Sequence, residues 1–323
     1  MDRKVVLATQ KLHPVGMALL EERVELRIAS SLDPATLACE VPGAHALVVR
    51  MGRITEEVIA AGTSLQVIGQ NAVGLDNIDV AAATRRGIPV VHTPGANSVS
   101  VAEYVIGAVL TLARRFPLMD REMRAGNWLV RNQWGRELSG CTFGVIGLGH
   151  IGSLVARRCR AAFDAEILAL DPYLPPAQAA ALEITLADSL DELLRRSDVV
   201  SLHVPLTAET EGLLGARELA LMKPTAYLIN AARGPVVDEA ALAAALRRGT
   251  IAGAAVDVYS QEPPPPEHPL WTAPNLLLTP HIGALTDEAM GRMARTMVTD
   301  VLAVLEGRRP RYIANPEVLR SSL

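Results

Sequence analysis

The stretch Thr142-Phe143-Gly144-Val145-Ile146-Gly147-Leu148-Gly149-His150-Ile151-Gly152 carries the fold class of this 323-residue chain. A short run of strand character leads into Gly147-x-Gly149-x-x-Gly152, and a helix-like segment follows. Each glycine then has a task. Gly147 permits a tight turn, Gly149 lets the backbone approach a pyrophosphate, and Gly152 lets the helix lie close on the sheet. The helix N-terminus adds free N–H groups for the phosphates. The next strand, Glu166–Leu170, ends on Asp171, about 20 positions further on. A carboxylate there accepts hydrogen bonds from ribose hydroxyls and repels a 2′-phosphate. No arginine follows closely, so NAD is favoured over NADP. The plainer alternatives are an ordinary glycine turn and a turn or cap aspartate.

The same strand–helix rhythm extends in both directions. Downstream, strands are expected at Val199–His203, Ala226–Asn230, Gly253–Val258 and Asn275–Leu278. Upstream, they are expected at Lys4–Ala8, Val24–Ile28, Ala46–Arg50, Leu65–Gly69 and Pro89–His92. Helices are expected at Pro14–Glu22, Thr55–Ala61 and Ile78–Arg86, with Thr55 and Asp76 near N-caps and Gly62 and Gly87 as stops. A long helix from Ser98 to Arg115 ends before Pro117, and a second runs toward Gly126. The polar stretch Trp128–Gly140 reads as a loop crossing to a second domain. A last helix, Asp287–Glu306, returns the chain. The expected fold is α/β, with two doubly wound parallel-sheet domains and an interdomain cleft. One is a Rossmann NAD-binding domain (99–286). The other is a flavodoxin-like, discontinuous substrate domain (1–98 and 287–323).

Composition agrees with that architecture. Half of the residues are hydrophobic but only 3% are aromatic, so Ala, Val, Leu and Ile must fill the cores of buried parallel sheets. The net charge of −4 is well mixed, and no basic stripe suggests nucleic acid. No apolar run reaches the roughly 18 residues of a membrane helix. Met1-Asp2-Arg3-Lys4 leads into a strand rather than a signal peptide, so the cytoplasm is expected. Cys39, Cys141 and Cys159 are widely spaced, with no disulfide framework and no metal-binding pattern. The sequence ends after its long helix, and no regulatory domain is expected.

Three polar clusters follow strands in the second domain, where open α/β sheets bind ligands. Arg233, in Asn230-Ala231-Ala232-Arg233-Gly234-Pro235-Val236-Val237-Asp238, offers a planar fork for a carboxylate and can polarise a carbonyl. A surface arginine on a turn is the alternative. Asp257-Val258-Tyr259-Ser260-Gln261-Glu262-Pro263 supplies two carboxylates. Pro280-His281-Ile282-Gly283-Ala284 supplies a histidine that titrates near neutrality and can exchange a proton. Glu262 is the candidate partner that raises its pKa and fixes its tautomer. His13, His45, His92 and His268 are assigned to surface or packing.

These clusters, with Asn71–Asp79, Thr93–Glu103, Gly147–Gly152 and His203-Val204-Pro205-Leu206-Thr207, resemble the D-isomer-specific 2-hydroxyacid dehydrogenases over nearly the whole chain. The look is closest to the D-3-phosphoglycerate dehydrogenase and hydroxypyruvate reductase branch. The resemblance implies an NAD-dependent oxidoreductase acting at C2 of a small D-2-hydroxy or 2-keto acid. It implies a catalytic trio of Arg233, Glu262 and His281. Arg50, Met51 and the backbone of Val73 and Gly74 would take the substrate. His150 and Ile151 would lie at the pyrophosphate and Asp171 at the ribose. His203, Pro205 and Thr207 would line the adenosine side, and Ala231, Asp257 and Gly283 the nicotinamide side. A homodimer through the NAD-binding domain is also implied.

Relatives often carry arginine where Gln70 stands, and that lost charge weakens a phosphoglycerate reading. Arg50 keeps the family pattern, Arg53 adds a cation, and Arg131 lies on the Trp128–Gly140 stretch, so an anionic tail stays open. Phosphite oxidation is expected to need a lysine between Gly69 and Asp76, where none stands, and Glu262 argues against the formate branch. An NAD(H)-sensing corepressor-like protein is the non-enzymatic alternative.

Overall fold

The computed structural model describes residues 3–319; Met1, Asp2 and 320–323, which the domain and N-terminal readings include, lie outside the described residues. The chain forms two compact units, Met1–Asn97 with Leu285–Leu323, and Ser98–Ala284.

The first unit begins with β1 (Val5–Ala8), α1 (Pro14–Arg23), β2 (Glu25–Ile28), α2 (Pro34–Glu40) and β3 (Ala46–Val49). It continues with α3 (Glu56–Ala61), β4 (Val67–Gln70), α4 (Val80–Arg85) and β5 (Val90–Val91). The strands pair in parallel in the order β2-β1-β3-β4-β5, the flavodoxin-like doubly wound order. α2 has no counterpart in the sequence reading. It is two turns long, too short for a clear period, and its start is set by Asp33, which accepts from the Thr36 N–H at 3.0 Å. The cap of α4 is Asp79 rather than Asp76, accepting from the Ala82 N–H at 2.8 Å. The Ile54–Ile78 bridge holds residue 78 extended, so helix geometry cannot begin earlier.

The second unit opens with α5 (Ser98–Ala113) and α6 (Phe116–Arg124). There follow β6 (Thr142–Ile146), α7 (His150–Phe163), β7 (Glu166–Leu170), α8 (Pro176–Ala181), β8 (Thr185–Leu186), α9 (Leu190–Arg196) and β9 (Val199–Leu202). The unit is completed by α10 (Ala216–Leu221), β10 (Tyr227–Asn230), α11 (Glu239–Arg248), β11 (Gly253–Val256) and β12 (Leu276–Leu278). Seven parallel strands run β12-β11-β10-β9-β6-β7-β8, a Rossmann order with one extra strand. α12 (Asp287–Leu305) then belongs to the first unit, where its Ala294, Met297, Val298 and Val301 pack on Val6, Ala8, Val48, Val67 and Val91.

The Trp128–Gly140 stretch does not cross between units. α5 already packs its Ala102, Val105, Val109 and Ala113 with Phe143 and Val145 of β6. The Arg136 N–H returns to the Ala113 carbonyl at 2.8 Å, so the segment folds back on the same unit. The chain passes between units instead at Asn97–Ser98 and Ala284–Leu285. No helix is long and apolar enough to cross a membrane, among the described residues.

Candidate active site

The glycine turn after β6 sits where the strand order of the second sheet reverses, between β6 and β9. Gly147 has φ +89°, and a Cβ there would lie 2.6 Å from the His203 carbonyl oxygen. A Cβ on Gly152 would collide with the Gly147 carbonyl, so this glycine lets α7 lie against the turn. Gly149 differs: a Cβ there would meet nothing within 4 Å. Internal packing therefore does not require this glycine, and the backbone there is left open to close approach. No side chain caps α7, so its first-turn N–H groups face that open space. Asp171 accepts from the Leu148 N–H at 2.7 Å and the Tyr173 N–H at 2.9 Å, which docks its carboxylate onto the turn. This arrangement fits a dinucleotide: a phosphate cradle with a carboxylate beside it.

Around this cradle, His150 is exposed and Ile151 half-buried at the start of α7. His203 follows β9, its Nε2 2.9 Å from Ser201 Oγ, and burial pushes its pKa down to about 3. The ring is thus neutral and brings no positive charge to the site. Pro205 and Thr207 lie on a loop tied by Thr210, whose hydroxyl donates to the Pro205 carbonyl at 2.6 Å while accepting from the Thr207 N–H at 2.8 Å.

Three adjacent strands carry the polar clusters. Asn230 pairs with Val256, and Val256 with Leu278, so β10, β11 and β12 end level with one another. Arg233, Glu262 and His281 all follow that common edge. Asn230 is buried; its side chain accepts from the Ala232 N–H at 3.1 Å and donates to the Arg233 carbonyl at 3.0 Å, which shapes the turn bearing Ala231 and Arg233. A Cβ on Gly234 would run into the Tyr259–Ser260 backbone, so the Arg233 turn lies directly against the Glu262 loop. Arg233 Nη1 also donates to the Ala232 carbonyl at 2.7 Å.

Asp257, only 1% exposed, holds the histidine turn. Its Oδ1 accepts from Thr279 Oγ1 at 2.6 Å and the Ile282 N–H at 2.8 Å, and its Oδ2 from the Gly283 N–H at 2.8 Å. Its carbonyl takes the His281 N–H at 2.8 Å. Within this clamp His281 adopts φ +55°, the left-handed region uncommon for a non-glycine residue. His281 Nδ1 meets Glu262 Oε2 at 2.7 Å, and Glu262 Oε1 accepts from the Tyr259 N–H at 3.1 Å.

The pair's electrostatics follow. The Glu262 hydrogen bond raises the His281 pKa; desolvation and the Arg233 charge oppose it and lose. For Glu262, desolvation works upward, but hydrogen bonds from His281 and the Tyr259 N–H, with the charges of His281 and Arg233, bring the net shift below the usual carboxylate value. His281 Nε2 has no hydrogen-bond partner among the described residues.

In the first unit, Arg50 leaves β3 with its N–H on Thr9 Oγ1 at 3.2 Å and its Nη1 toward the Lys11 carbonyl at 3.5 Å. Met51 is 55% exposed. The Val73 carbonyl faces His92 Nδ1 at 3.1 Å, and the Gly74 carbonyl accepts from Gln70 Nε2 at 3.3 Å. The turn is held by its carbonyls, while the Val73 and Gly74 N–H groups donate to nothing among the described residues. Gln70 also donates to Asn77 Oδ1 at 2.8 Å, so it serves as a strut between β4 and the turn that follows.

Sequence reasoning missed Thr279, Tyr104 and Ser100. Tyr104 and Thr279 hydroxyls lie 2.7 Å apart, and Ser100 donates to the Gly283 carbonyl at 2.7 Å. α5 thereby supports the histidine turn from nearly 180 residues away in sequence, and no local pattern announces that. No group of three or more potential metal ligands occurs among the described residues.

A family profile described as "D-isomer specific 2-hydroxyacid dehydrogenase, NAD binding domain" matches residues 106–283. The D-3-phosphoglycerate dehydrogenase of Methanocaldococcus jannaschii is 42% identical over 311 residues, 96% of this chain and 59% of that protein. The chain thus spans somewhat more than half the length of such relatives. The glyoxylate reductase of Thermofilum pendens is 41% identical, with 99% of this chain and 97% of that protein covered. A crystal structure of a Thermus thermophilus protein superposes with a TM-score of 0.88 at 39% identity, covering 96% of this chain and 99% of that one.

The Glu262–His281 pair makes a pH prediction. A raised His281 pKa contributes stability that is full below the ordinary 6.5 and lost as pH rises through the raised value. A lowered Glu262 pKa contributes stability that is full above the ordinary 4.5 and lost as pH falls through the lowered value. Both contributions are in place between 4.5 and 6.5. Glu262→Gln is expected to lower the His281 titration midpoint, followed by NMR of its ring protons. An unchanged midpoint would sink the pairing.

Proposed function

The chain belongs to the D-isomer-specific 2-hydroxyacid dehydrogenase family, and on that premise we propose that it is an NAD-dependent enzyme. It transfers a hydride between nicotinamide and C2 of a small D-2-hydroxy or 2-keto acid, of the phosphoglycerate, glycerate/hydroxypyruvate or glyoxylate type. The observation that carries this reading is the His281–Glu262 contact, 2.7 Å long, clamped by buried Asp257 beside Arg233. A bound nicotinamide dinucleotide supplies the hydride or accepts it. Arg233 binds the substrate carboxylate and polarises the C2 carbonyl. In reduction His281 gives its Nε2 proton to the carbonyl oxygen as C2 gains the hydride; in oxidation it takes the hydroxyl proton. Glu262 keeps His281 charged over a wider pH range and holds its ring.

Arg50, Met51, Val73 and Gly74 are assigned to the substrate, the last two through their unpaired N–H groups. The α7 N-terminus with Gly147, Gly149, His150, Ile151 and Gly152 is assigned to the pyrophosphate, and Asp171 to the adenosine ribose. His203, Pro205 and Thr207 are assigned to the adenosine side, with Ala231, Asp257 and Gly283 on the nicotinamide side. The three free thiols suit a cytoplasmic location.

The second unit also displays an apolar surface along one stretch of chain. Phe116, Met123, Trp128, Leu129 and Trp134 are 47–85% exposed, and α6 buries no residue. Such a surface is what a second copy would cover, and it supports a homodimer through the NAD-binding domain. Sedimentation velocity should then give twice the chain mass, and Leu129→Glu should give the monomer; a monomeric wild type at micromolar concentration overturns the dimer.

The activity is tested by NADH oxidation against glyoxylate, hydroxypyruvate, phosphohydroxypyruvate and pyruvate. Turnover of at least one is expected, and Arg233→Ala should lower its kcat/KM by roughly 10³-fold. A wild type inert on all of them, or an Arg233→Ala variant within a few-fold of wild type, defeats the assignment. Asp171→Ala is expected to reduce the NAD-to-NADP preference by about 10-fold or more; a preference that does not move takes Asp171 out of the ribose site.

A further inference from the structure

The first sheet carries an unexplained polar row at its carboxyl edge. Ala8, Val48, Gly69 and Val91 are register neighbours across β1, β3, β4 and β5. All four positions face α12: the three side chains join its core, and a Cβ on Gly69 would strike Val301 and Met297. Side chains two residues further along a strand return to the same face. Those positions are Gln10, Arg50, Asn71 and Thr93. The ladder persists that far from β1 to β4, with Thr9 N–H on the Val48 carbonyl at 2.9 Å and Asn71 N–H on the Val49 carbonyl at 2.8 Å; past β5 the chain stays beside β4's continuation but slips register, its Thr93 N–H reaching the Ala72 carbonyl at 3.1 Å.

Three of the four side chains hold buried polar atoms without a partner: Gln10 Oε1, both Oδ1 and Nδ2 of Asn71, and Thr93 Oγ1. Asn71 is 3% exposed and Thr93 0%. Buried polar groups are nearly always hydrogen-bonded, so a cluster of exceptions requires an explanation. Apolar residues would fill this edge better if packing were its only role. The row crosses the point between β1 and β3 where the strand order reverses, the usual ligand crevice of such a sheet. A surface depression lined by Arg50, His13 and the start of α12 opens at the same edge. The adjoining Ala72–Gly74 turn presents free N–H groups at Val73 and Gly74, while its carbonyls hold it to Gln70, His92 and Thr93.

We propose that Asn71 and Thr93 are specificity-determining residues that read the C3 substituent of the substrate, and that this substituent is an uncharged hydroxyl. The inference rests on the dehydrogenase reading and narrows it to 3-hydroxy-2-keto acids and the matching 2,3-dihydroxy acids. An amide offers both N–H donors and an acceptor oxygen, and a threonine hydroxyl can be either; together they match a group that both donates and accepts. A methyl group leaves these atoms orphaned. A phosphate only accepts, and the row presents a single cation, Arg50, between the carbonyl-bearing side chains of Gln10 and Asn71.

The test compares hydroxypyruvate with pyruvate, which differ by that hydroxyl alone, in wild type, Asn71→Leu and Thr93→Val. Wild type is expected to favour hydroxypyruvate by roughly 100-fold in kcat/KM, and each variant to reduce that ratio by about 10-fold or more. Asn71→Leu should not lower Tm, because it removes two unpartnered buried atoms. A ratio within twofold of wild type in both variants overturns the proposal, as does a wild-type preference for phosphohydroxypyruvate. If no 2-keto acid turns over, the dehydrogenase reading has failed, and binding then decides the row. D-glycerate, and not D-lactate, should raise the Tm of wild type in the presence of NAD. The two variants should lose that shift, and equal shifts by the two acids overturn the assignment.

Discussion

Asp257 is a carboxylate in a place where water cannot reach it, surrounded by donors from one short turn. Thr279, Ile282 and Gly283 all point hydrogen-bond donors at its two oxygens, and the His281 N–H points at its carbonyl. A buried charge is tolerated only when its hydrogen-bonding capacity is met. The turn therefore has little freedom to take any other shape, and His281 is carried in a left-handed conformation that would otherwise be disfavoured. Tyr104 and Ser100 of α5 close the same network from the far end of the unit's sequence. The position of the His281 ring is thus set by a carboxyl group on a different strand's end.

Around that clamp the catalytic candidates are gathered by sheet register rather than by local sequence. β10, β11 and β12 end level, so three turns emerge side by side, and Gly234 allows two of them to touch. Glu262 then completes the pair with His281, and the field of Arg233 acts on both. Both sheets present backbone donors beyond the carboxyl ends of their strands. In one, a glycine turn leaves open backbone donors under Gly149. In the other, the unpaired N–H groups of Val73 and Gly74 follow Asn71, whose buried side chain lacks a partner just past β4.

The places where expectation and structure diverge have physical causes. Asp76 looks like a cap because it precedes a helix-like run, but the Ile54–Ile78 bridge delays that helix and hands the cap to Asp79. Trp128–Gly140 looks like a crossing because it has no period, yet its backbone returns to Ala113. α2, α8 and β8 are too short for a periodic signal to rise above neighbouring residues.

What the sequence by itself determined is what local patterning controls. Strand–turn–helix alternation with Gly147, Gly149 and Gly152 dictates two parallel α/β sheets and a dinucleotide cradle, because the left-handed turn at Gly147 and the close seat of Gly152 on it are set within a few residues of chain. Arg233, Glu262 and His281 are legible as polar residues that follow apolar strands. Tertiary structure alone decided the clamp by Asp257, the support from Tyr104 and Ser100, and the polar row of Gln10, Arg50, Asn71 and Thr93. Those groups lie far apart along the chain. Only strand register, the twofold alternation of side chains and the exclusion of water place them together.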